Sequence, residues 1–184
     1  EDGIDLFVNI TATPYYYGRQ TERIERLSKL ANSANRPIVY VNMVGGNNEL
    51  VFDGGSLVVN EQGHICAKAP SFEEDLLIWD IADNERRDFV KEDISYLYRG
   101  LVLGLRDYCN KLGSKEILLG LSGGVDSTLA ACIATDAVGS DNVLAVSNHS
   151  RYTSKESRDD ADKLVKNLGI RCRNMPIDNL FKAY

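Results

Sequence analysis

Apolar positions follow two rhythms along this chain, and the rhythm changes where glycines and prolines fall. Residues 6–10, LFVNI, make a short apolar run that predicts a buried strand, and Pro14 and Gly18 break the following TATPYYYG into a loop. Ile24, Leu27, Leu30, Ala31 and Ala34 then recur at helical spacing, giving a helix with one apolar face that Thr21 is placed to cap. The continuously apolar PIVYVNMV reads as a strand covered on both sides. A glycine-rich stretch, GGNNELVFDGG, leads into SLVVN, the turn EQG and HICAK, which read as paired strands. LLIWDI reads as the last strand of this half, and the charged residues 82–93, with no apolar period, read as a linker.

The second half has the other rhythm. Ile94, Leu97, Leu101, Leu105 and Tyr108 mark a long helix that Gly113 ends. The order is then strand ILLGL, a Ser-Gly-Gly loop, helix, strand NVLAVS, loop NHSRYTS, a helix ending near Leu168 and Gly169, and strand IRCRNMPI. Such β-α-β-α-β alternation predicts an α/β fold with a parallel, doubly wound sheet whose ligands sit at the carboxyl ends of its strands. Both the Ser-Gly-Gly loop and NHSRYTS fall at such ends.

Composition narrows the setting. With 184 residues, 43% of them hydrophobic, the chain has material for an ordinary core in one or two domains. No apolar run approaches the ~20 residues of a membrane span and the first residues do not read as a signal peptide, so a cytoplasmic location without a membrane partner is expected. Cys66, Cys109, Cys132 and Cys172 are widely spaced with no C-x-x-C pair and are expected to be reduced core thiols. His64 and His149 form no metal-binding spacing with them, and His64 is expected at the surface after a turn glycine. The net charge of -6 argues against a nucleic-acid partner. It resides in residues 1–80, with 12 acids and 6 bases, whereas residues 81–184 hold 15 of each. An anion bound in the second half must therefore be held by local groups, and Arg151, Lys155 and Arg158 form a basic cluster there, unless Lys155 and Arg158 simply make a solvated helix face.

Candidate chemistry centres on LLGLSGGVDST, where an apolar strand passes through Ser122, Gly123, Gly124, Val125, Asp126 and Ser127 straight into a helix. Two glycines without side chains and the unpaired N–H groups of a helix's first turn suit a pyrophosphate. Ser122 and Ser127 add hydroxyl donors, and Asp126 is a carboxylate placed to take a phosphate-bound Mg²⁺. The segment lacks the Gly-Lys-Ser/Thr ending of a Walker A loop. It resembles instead the PP-loop of the ATP pyrophosphatases, enzymes that cleave ATP between its α- and β-phosphates.

Other segments extend the resemblance over essentially the whole chain. YRGLVLGLRDYCNKLGSKEILLGLSGGVDST resembles the start of the synthetase domain of the glutamine-dependent NAD synthetases, and SRYTS is similar to that family's second nucleotide loop. NITATPYYYGRQTER and VNMVGGNNELVFDGGS resemble the late part of the family's nitrilase-like glutaminase domain. The resemblance implies residues 1–81 as the end of a nitrilase-like αββα sandwich, 82–93 as linker, and 94–184 as the beginning of a PP-loop domain of the Rossmann-like adenine nucleotide alpha hydrolase type. It also implies a glutaminase Glu, Lys and Cys upstream of residue 1, and further dinucleotide contacts beyond residue 184. The chain is thus expected to be an internal piece that does not hydrolyse glutamine by itself.

The implied reaction is ATP-dependent amidation of deamido-NAD to NAD through an acyl adenylate, with ammonia from glutamine and with AMP and pyrophosphate released. On that reading Ser122, Gly123, Gly124 and Ser127, with the flanking Leu121 and Val125, hold the pyrophosphate moiety of ATP, and Asp126 binds Mg²⁺. Ser147, ending the second strand, lies against the adenosine, while Arg151 and Ser154 reach ATP phosphates. Thr13, where the family more often carries Ser, and Arg19 contact glutamine, the guanidinium being suited to grip an α-carboxylate with two parallel hydrogen bonds. Tyr15, Tyr16 and Tyr17 are placed to wall that site or to pack in a core or subunit contact. The partners implied are small molecules, namely deamido-NAD, ATP, and glutamine or ammonia, together with further copies of the chain in a homo-oligomer. Alternatives are another PP-loop amidotransferase such as GMP synthetase, which lacks TATPYYYGR and FDGGS, and a nucleotide-binding module without chemistry. An RNA-thiolating enzyme would need a basic surface and usually reactive cysteines.

Overall fold

The computed structural model describes residues 3–83 and 85–177 and divides into two compact units, Glu1–Gly104 and Leu105–Tyr184. In the first, β1 (Phe7–Thr11) pairs in parallel with β2 (Ile38–Asn42), and α1 (Arg19–Ala34) makes the crossover between them. Strands β5 (Leu57–Val59) and β6 (Ile65–Lys68) extend the sheet antiparallel in the order β1-β2-β5-β6. Its core is Leu27 and Ala31 of α1 against Ile38, Tyr40, Leu57 and Val59. Strands β3 (Val44–Asn47) and β4 (Leu50–Asp53) form a separate hairpin. It turns at Asn48, whose φ of 53° is one that Asn tolerates better than most residues.

Several expectations are corrected here. Helix α1 begins two residues before Thr21, because Gly18 takes φ 95° at the N-cap and lets Arg19 N–H donate to Tyr16 C=O at 2.9 Å. Leu30, expected on the apolar face, is 56% exposed. The hairpin β3–β4 stands where a glycine-rich stretch without strands was read. Strand β1 is apolar yet exposed, with Ile10 78% open, because it is the edge of the sheet and no described residue covers it. Strand β2 buries Ile38, Tyr40 and Asn42 but leaves Val41 exposed, so one face is covered rather than two. LLIWDI keeps a strand's alternation, with Leu77 and Trp79 half-buried and Leu76 and Ile78 exposed. It belongs to no sheet among the described residues, and Trp79 Nε1–H instead donates to Asp83 C=O at 2.9 Å.

Helix α2 (Ile94–Leu112) carries the chain from the first unit into the second and ends before Gly113, at φ 68°. There β7 (Ile117–Gly120), α3 (Val125–Val138), β8 (Val143–Ser147), α4 (Lys155–Leu168) and β9 (Arg171–Asn174) alternate as expected. The sheet is wholly parallel, in the order β7-β8-β9. Both crossovers advance in one direction, and α3 and α4 lie in contact with each other. Ala131, Ala134 and Ala137 let α3 approach closely, and the core adds Leu121, Val143, Ala145, Ala161 and Ile170. Arg106 donates to the carbonyls of Ala137 and Asp136 at 3.3 and 3.2 Å, satisfying acceptors at the C-terminus of α3. Burial pushes the Cys66 and Cys172 thiols up from their ordinary value, and all four cysteines are free.

Candidate functional site

At the carboxyl end of β7, Leu121 is 3% exposed and its N–H donates to the Val146 carbonyl at 2.8 Å, which extends the ladder one residue past the strand and sets the loop beside Ser147. The chain then turns through Ser122, Gly123 and Gly124 into α3. The two hydroxyls brace this turn. Ser122 Oγ accepts from Gly124 N–H at 3.2 Å and lies 3.1 Å from Ser127 Oγ, which donates to the Gly124 carbonyl at 3.0 Å and accepts from Ser122 N–H at 3.3 Å. The first helical bond of α3 is Thr128 N–H to Gly124 C=O, so the amides of Val125, Asp126 and Ser127 have no carbonyl to bond within the helix.

Gly123 shows why this loop tolerates so little. It takes φ 83°, and a Cβ there would lie 2.1 Å from the Ser157 carbonyl oxygen in the first turn of α4. Loop and helix terminus are thus in backbone contact, bringing the N-termini of α3 and α4 together. Ser154 caps α4, its Oγ accepting from Ser157 N–H at 3.1 Å and lying 2.9 Å from Ser157 Oγ. Arg158 reaches back to the Ser150 carbonyl at 2.6 Å, which holds the NHSRYTS loop against α4 and ties down one of the cations of the basic cluster. Ser150, only 8% exposed, organises that loop by accepting from Tyr152 N–H and Thr153 N–H.

The sequence-predicted residues therefore converge in part. Leu121, Ser122, Gly123, Gly124, Val125, Asp126 and Ser127 form one turn, Ser147 ends the neighbouring strand, and Ser154 caps the helix that touches Gly123. Arg151 is exposed, its guanidinium 5.0 Å above the Tyr152 ring. Asp126 is exposed in the first turn of α3. No group of three or more His, Cys, Asp or Glu that could hold a metal occurs among the described residues. A hard cation at Asp126 would then complete its shell with phosphate and water oxygens, which is how Mg²⁺ usually binds. The donor set fits such an ion.

The first unit holds a separate candidate. A cavity of about 760 Å³ between β1 and α1 is lined by both Thr13 and Arg19. Thr13 is fixed from three sides: its N–H donates to Asn42 Oδ1 at 2.9 Å, and its Oγ1 lies 3.1 Å from Tyr40 OH and from Thr11 Oγ1. Arg19 donates to Tyr16 OH at 2.9 Å, stacks over that ring at 5.2 Å, and lies 3.6 Å from Glu22. Of the three tyrosines, Tyr15 packs edge-on against Phe72 and donates to Glu92 at 2.7 Å, and burial, followed by Glu92, drives its pKa up. Tyr16 and Tyr17 are exposed.

Sequence reasoning missed what supports this cavity. Arg23 and Asp53, 5% and 1% exposed, meet in a bidentate pair at 2.7 and 2.9 Å. Burial alone would lower the Arg23 pKa, but the hydrogen bonds and charge of Asp53 outweigh it and the net direction is up. Asn42 donates to Asp53 Oδ1 and to the Gly54 carbonyl, and so passes the order of the pair on to Thr13. The only local signal was Asp53 before two glycines, which take φ 59° and 60° to turn the chain over the pair.

Comparison with known proteins bears on both units. The model of the family described as NAD synthase matches residues 97–184. The glutamine-dependent NAD(+) synthetase of Synechocystis sp. is 42% identical across all of this chain and 34% of its own length, and that of Thermotoga maritima is 37% identical across all of this chain and 38% of its own. The structure of the glutamine-dependent NAD+ synthetase from Acinetobacter baumannii in complex with ADP superposes with a TM-score of 0.91 at 37% identity, covering 98% of this chain and 35% of that one. The Cytophaga hutchinsonii enzyme, 20% identical with a TM-score of 0.86, shares the fold. The chain spans about a third of the length of these relatives. Over residues 97–184 the chain matches the NAD synthase family, and from end to end it is similar to the glutamine-dependent NAD synthetases.

Proposed function

We propose that this chain carries the ATP-binding part of an enzyme that amidates deamido-NAD to NAD, together with part of the nitrilase-like glutaminase that supplies its ammonia. In that reaction a nicotinate carboxylate oxygen attacks the α-phosphorus of ATP, and the bond to the β-phosphate breaks to release pyrophosphate. Ammonia then attacks the acyl carbon of the adenylate, loses a proton, and expels AMP. The carboxylate is a poor electrophile, so the protein's task is to hold the nucleotide in line and stabilise charge on the departing pyrophosphate.

The observation that carries this reading is the Gly123 contact with α4, which sets two helix N-termini around one bare turn. Ser122, Gly123, Gly124, Val125 and Ser127 hold the pyrophosphate moiety, with Leu121 fixing the turn to the sheet. Asp126 holds Mg²⁺, which when bound neutralises phosphate charge. Ser147 contacts the adenosine, and Arg151 and Ser154 reach the phosphates. Thr13 and Arg19 contact glutamine. Residues 82–93 connect the two domains, and the complete enzyme assembles from more than one copy.

Calorimetric titration of the 184-residue chain with ATP tests the site. Binding is expected to tighten with Mg²⁺, and Asp126→Asn to weaken it roughly tenfold in Mg²⁺ while leaving the circular dichroism unchanged. Mg²⁺-dependent binding that survives the substitution intact would remove Asp126 from the ligand set.

A further inference from the structure

The cavity of the first unit has a wall of hydroxyls opposite its arginines. Thr11, Thr13 and Tyr40 all line it, and Tyr40 OH donates to Thr13 Oγ1 at 3.1 Å, which in turn lies 3.1 Å from Thr11 Oγ1. Tyr40 anchors this chain. It is 5% exposed, its ring packs in the core with Leu27, Ile38 and Leu57, and the Arg23 guanidinium lies 5.3 Å over the ring while pairing with Asp53. Its backbone is paired on both sides, opposite Asn9 of β1 and Leu57 of β5. A phenylalanine would fill such a core position with no polar atom to satisfy, so the Tyr40 hydroxyl destabilises the core unless its bond to Thr13 offsets the burial.

We infer that Tyr40 is a positioning residue for the ligand of this cavity: its buried hydroxyl holds the Thr13 side chain and sets Thr13 as a hydrogen-bond donor. The inference rests on the reading of Thr13 and Arg19 as glutamine contacts and goes beyond it. Asn42 fixes the Thr13 backbone through its N–H, whereas Tyr40 fixes the position of Oγ1. A hydroxyl has one proton to give, and Tyr40 gives its own to Thr13. Thr13 and Thr11 then hold two protons for the one bond between them, so one proton is left over whichever way that bond runs. An oxygen that already accepts a hydrogen bond is also polarised into a better donor. The wall therefore offers a proton to an acceptor-only group, which a carboxylate gripped by Arg19 supplies.

The test is glutamate release from glutamine by the full-length protein that carries this chain, with Tyr40→Phe, which keeps the ring and its packing, as the first variant. Its KM for glutamine should rise about fivefold, the size of one hydrogen bond, with kcat unchanged. Thr13→Val should raise KM at least as far, and Thr13→Ser, which keeps the hydroxyl, should stay near the parent. Tyr40→Phe should add nothing in the Thr13→Val background, because its effect runs through that hydroxyl. A tyrosine that only filled the core would act independently of Thr13. An unchanged KM in Tyr40→Phe, or the same rise repeated in the Thr13→Val background, would overturn the inference, with circular dichroism confirming that each variant is folded. Arg19→Gln separates the two readings. Glutamate release indifferent to both Thr13→Val and Arg19→Gln removes the glutamine assignment and the role of Tyr40 with it, whereas a response to those two without one to Tyr40→Phe removes Tyr40 alone.

Discussion

Gly123 and Gly124 are adjacent in one motif, yet the structure makes them unequally sensitive to a side chain. Alanine at Gly123 would occupy φ 83°, where a side chain costs about 1–2 kcal/mol, and would place its Cβ 2.1 Å from the Ser157 carbonyl. Ordinary van der Waals contact begins near 3.4 Å, so loop and helix must part by more than 1 Å, and the obstacle is backbone that cannot rotate away. Overpacking of that kind adds about 1–3 kcal/mol, giving about 3 kcal/mol in all. Alanine at Gly124 keeps an ordinary φ of -83° and meets only Ser122 Oγ at 3.4 Å, so its cost is that of a poorer N-cap, about 1 kcal/mol. Trp79, the only tryptophan, lies in the other unit, so the measurement is native-state hydrogen exchange of the α3 and α4 amides. Protection should fall about a hundredfold in Gly123→Ala and about fivefold in Gly124→Ala. Equal losses would falsify the backbone contact between the loop and α4, and with it the convergence of the two helix termini.

The first unit supplies predictions that Trp79 can report. Removing the charge in Asp53→Asn leaves the buried Arg23 without its counterion and should cost about 3–5 kcal/mol in urea denaturation followed by Trp79 fluorescence; a loss below about 1 kcal/mol would mean that the pair is not closed in solution. Burial lowers the Lys68 pKa from 10.5, against the pull of Asp53, so folding disfavours the charged form. That penalty is fully present below the folded pKa and fades as pH rises toward 10.5, so Lys68 makes stability climb with pH. Lys68→Met should therefore be more stable than the parent at pH 7, with the gap narrowing as pH approaches 10.5; a constant gap would show that burial does not perturb the amine.

What was legible in the sequence depended on whether the signal was local. The alternation after Ile94 matched every strand and α-helix of the second unit, though not the 3-10 turn Ser140–Asn142, because the helices end at glycines, as at Gly113, Gly139 and Gly169, and Ser154 caps the start of α4. Ser122 to Ser127 were legible for the same reason, the whole turn being contiguous. The contact of Gly123 with Ser157 was not, since it joins positions 34 residues apart through packing of two helices. In the first unit the apolar runs of β1 and LLIWDI were real but did not say whether anything covers them, and burial is a property of the neighbour as much as of the strand. Arg23 and Asp53 were invisible because charged residues on a helix and before a turn normally face water, and only the fold brings these two together out of it.

The two candidate sites answer the same physical demand in different ways, and net charge predicts neither. The second unit meets an anion with backbone amides and helix termini, so a segment with balanced side-chain charge loses nothing by lacking a lysine in its loop. The first unit, which carries the chain's acidic excess, gathers four cations on one helical face and places its nearby carboxylates, Asp53 and Glu22, against Arg23 and Arg19. Side-chain cations at an open surface are screened by salt, whereas amides fixed in a turn act at contact range. Rising ionic strength should therefore weaken anion binding by the exposed side chains of the α1 cavity well before it alters how the Ser122–Ser127 turn grips a phosphate.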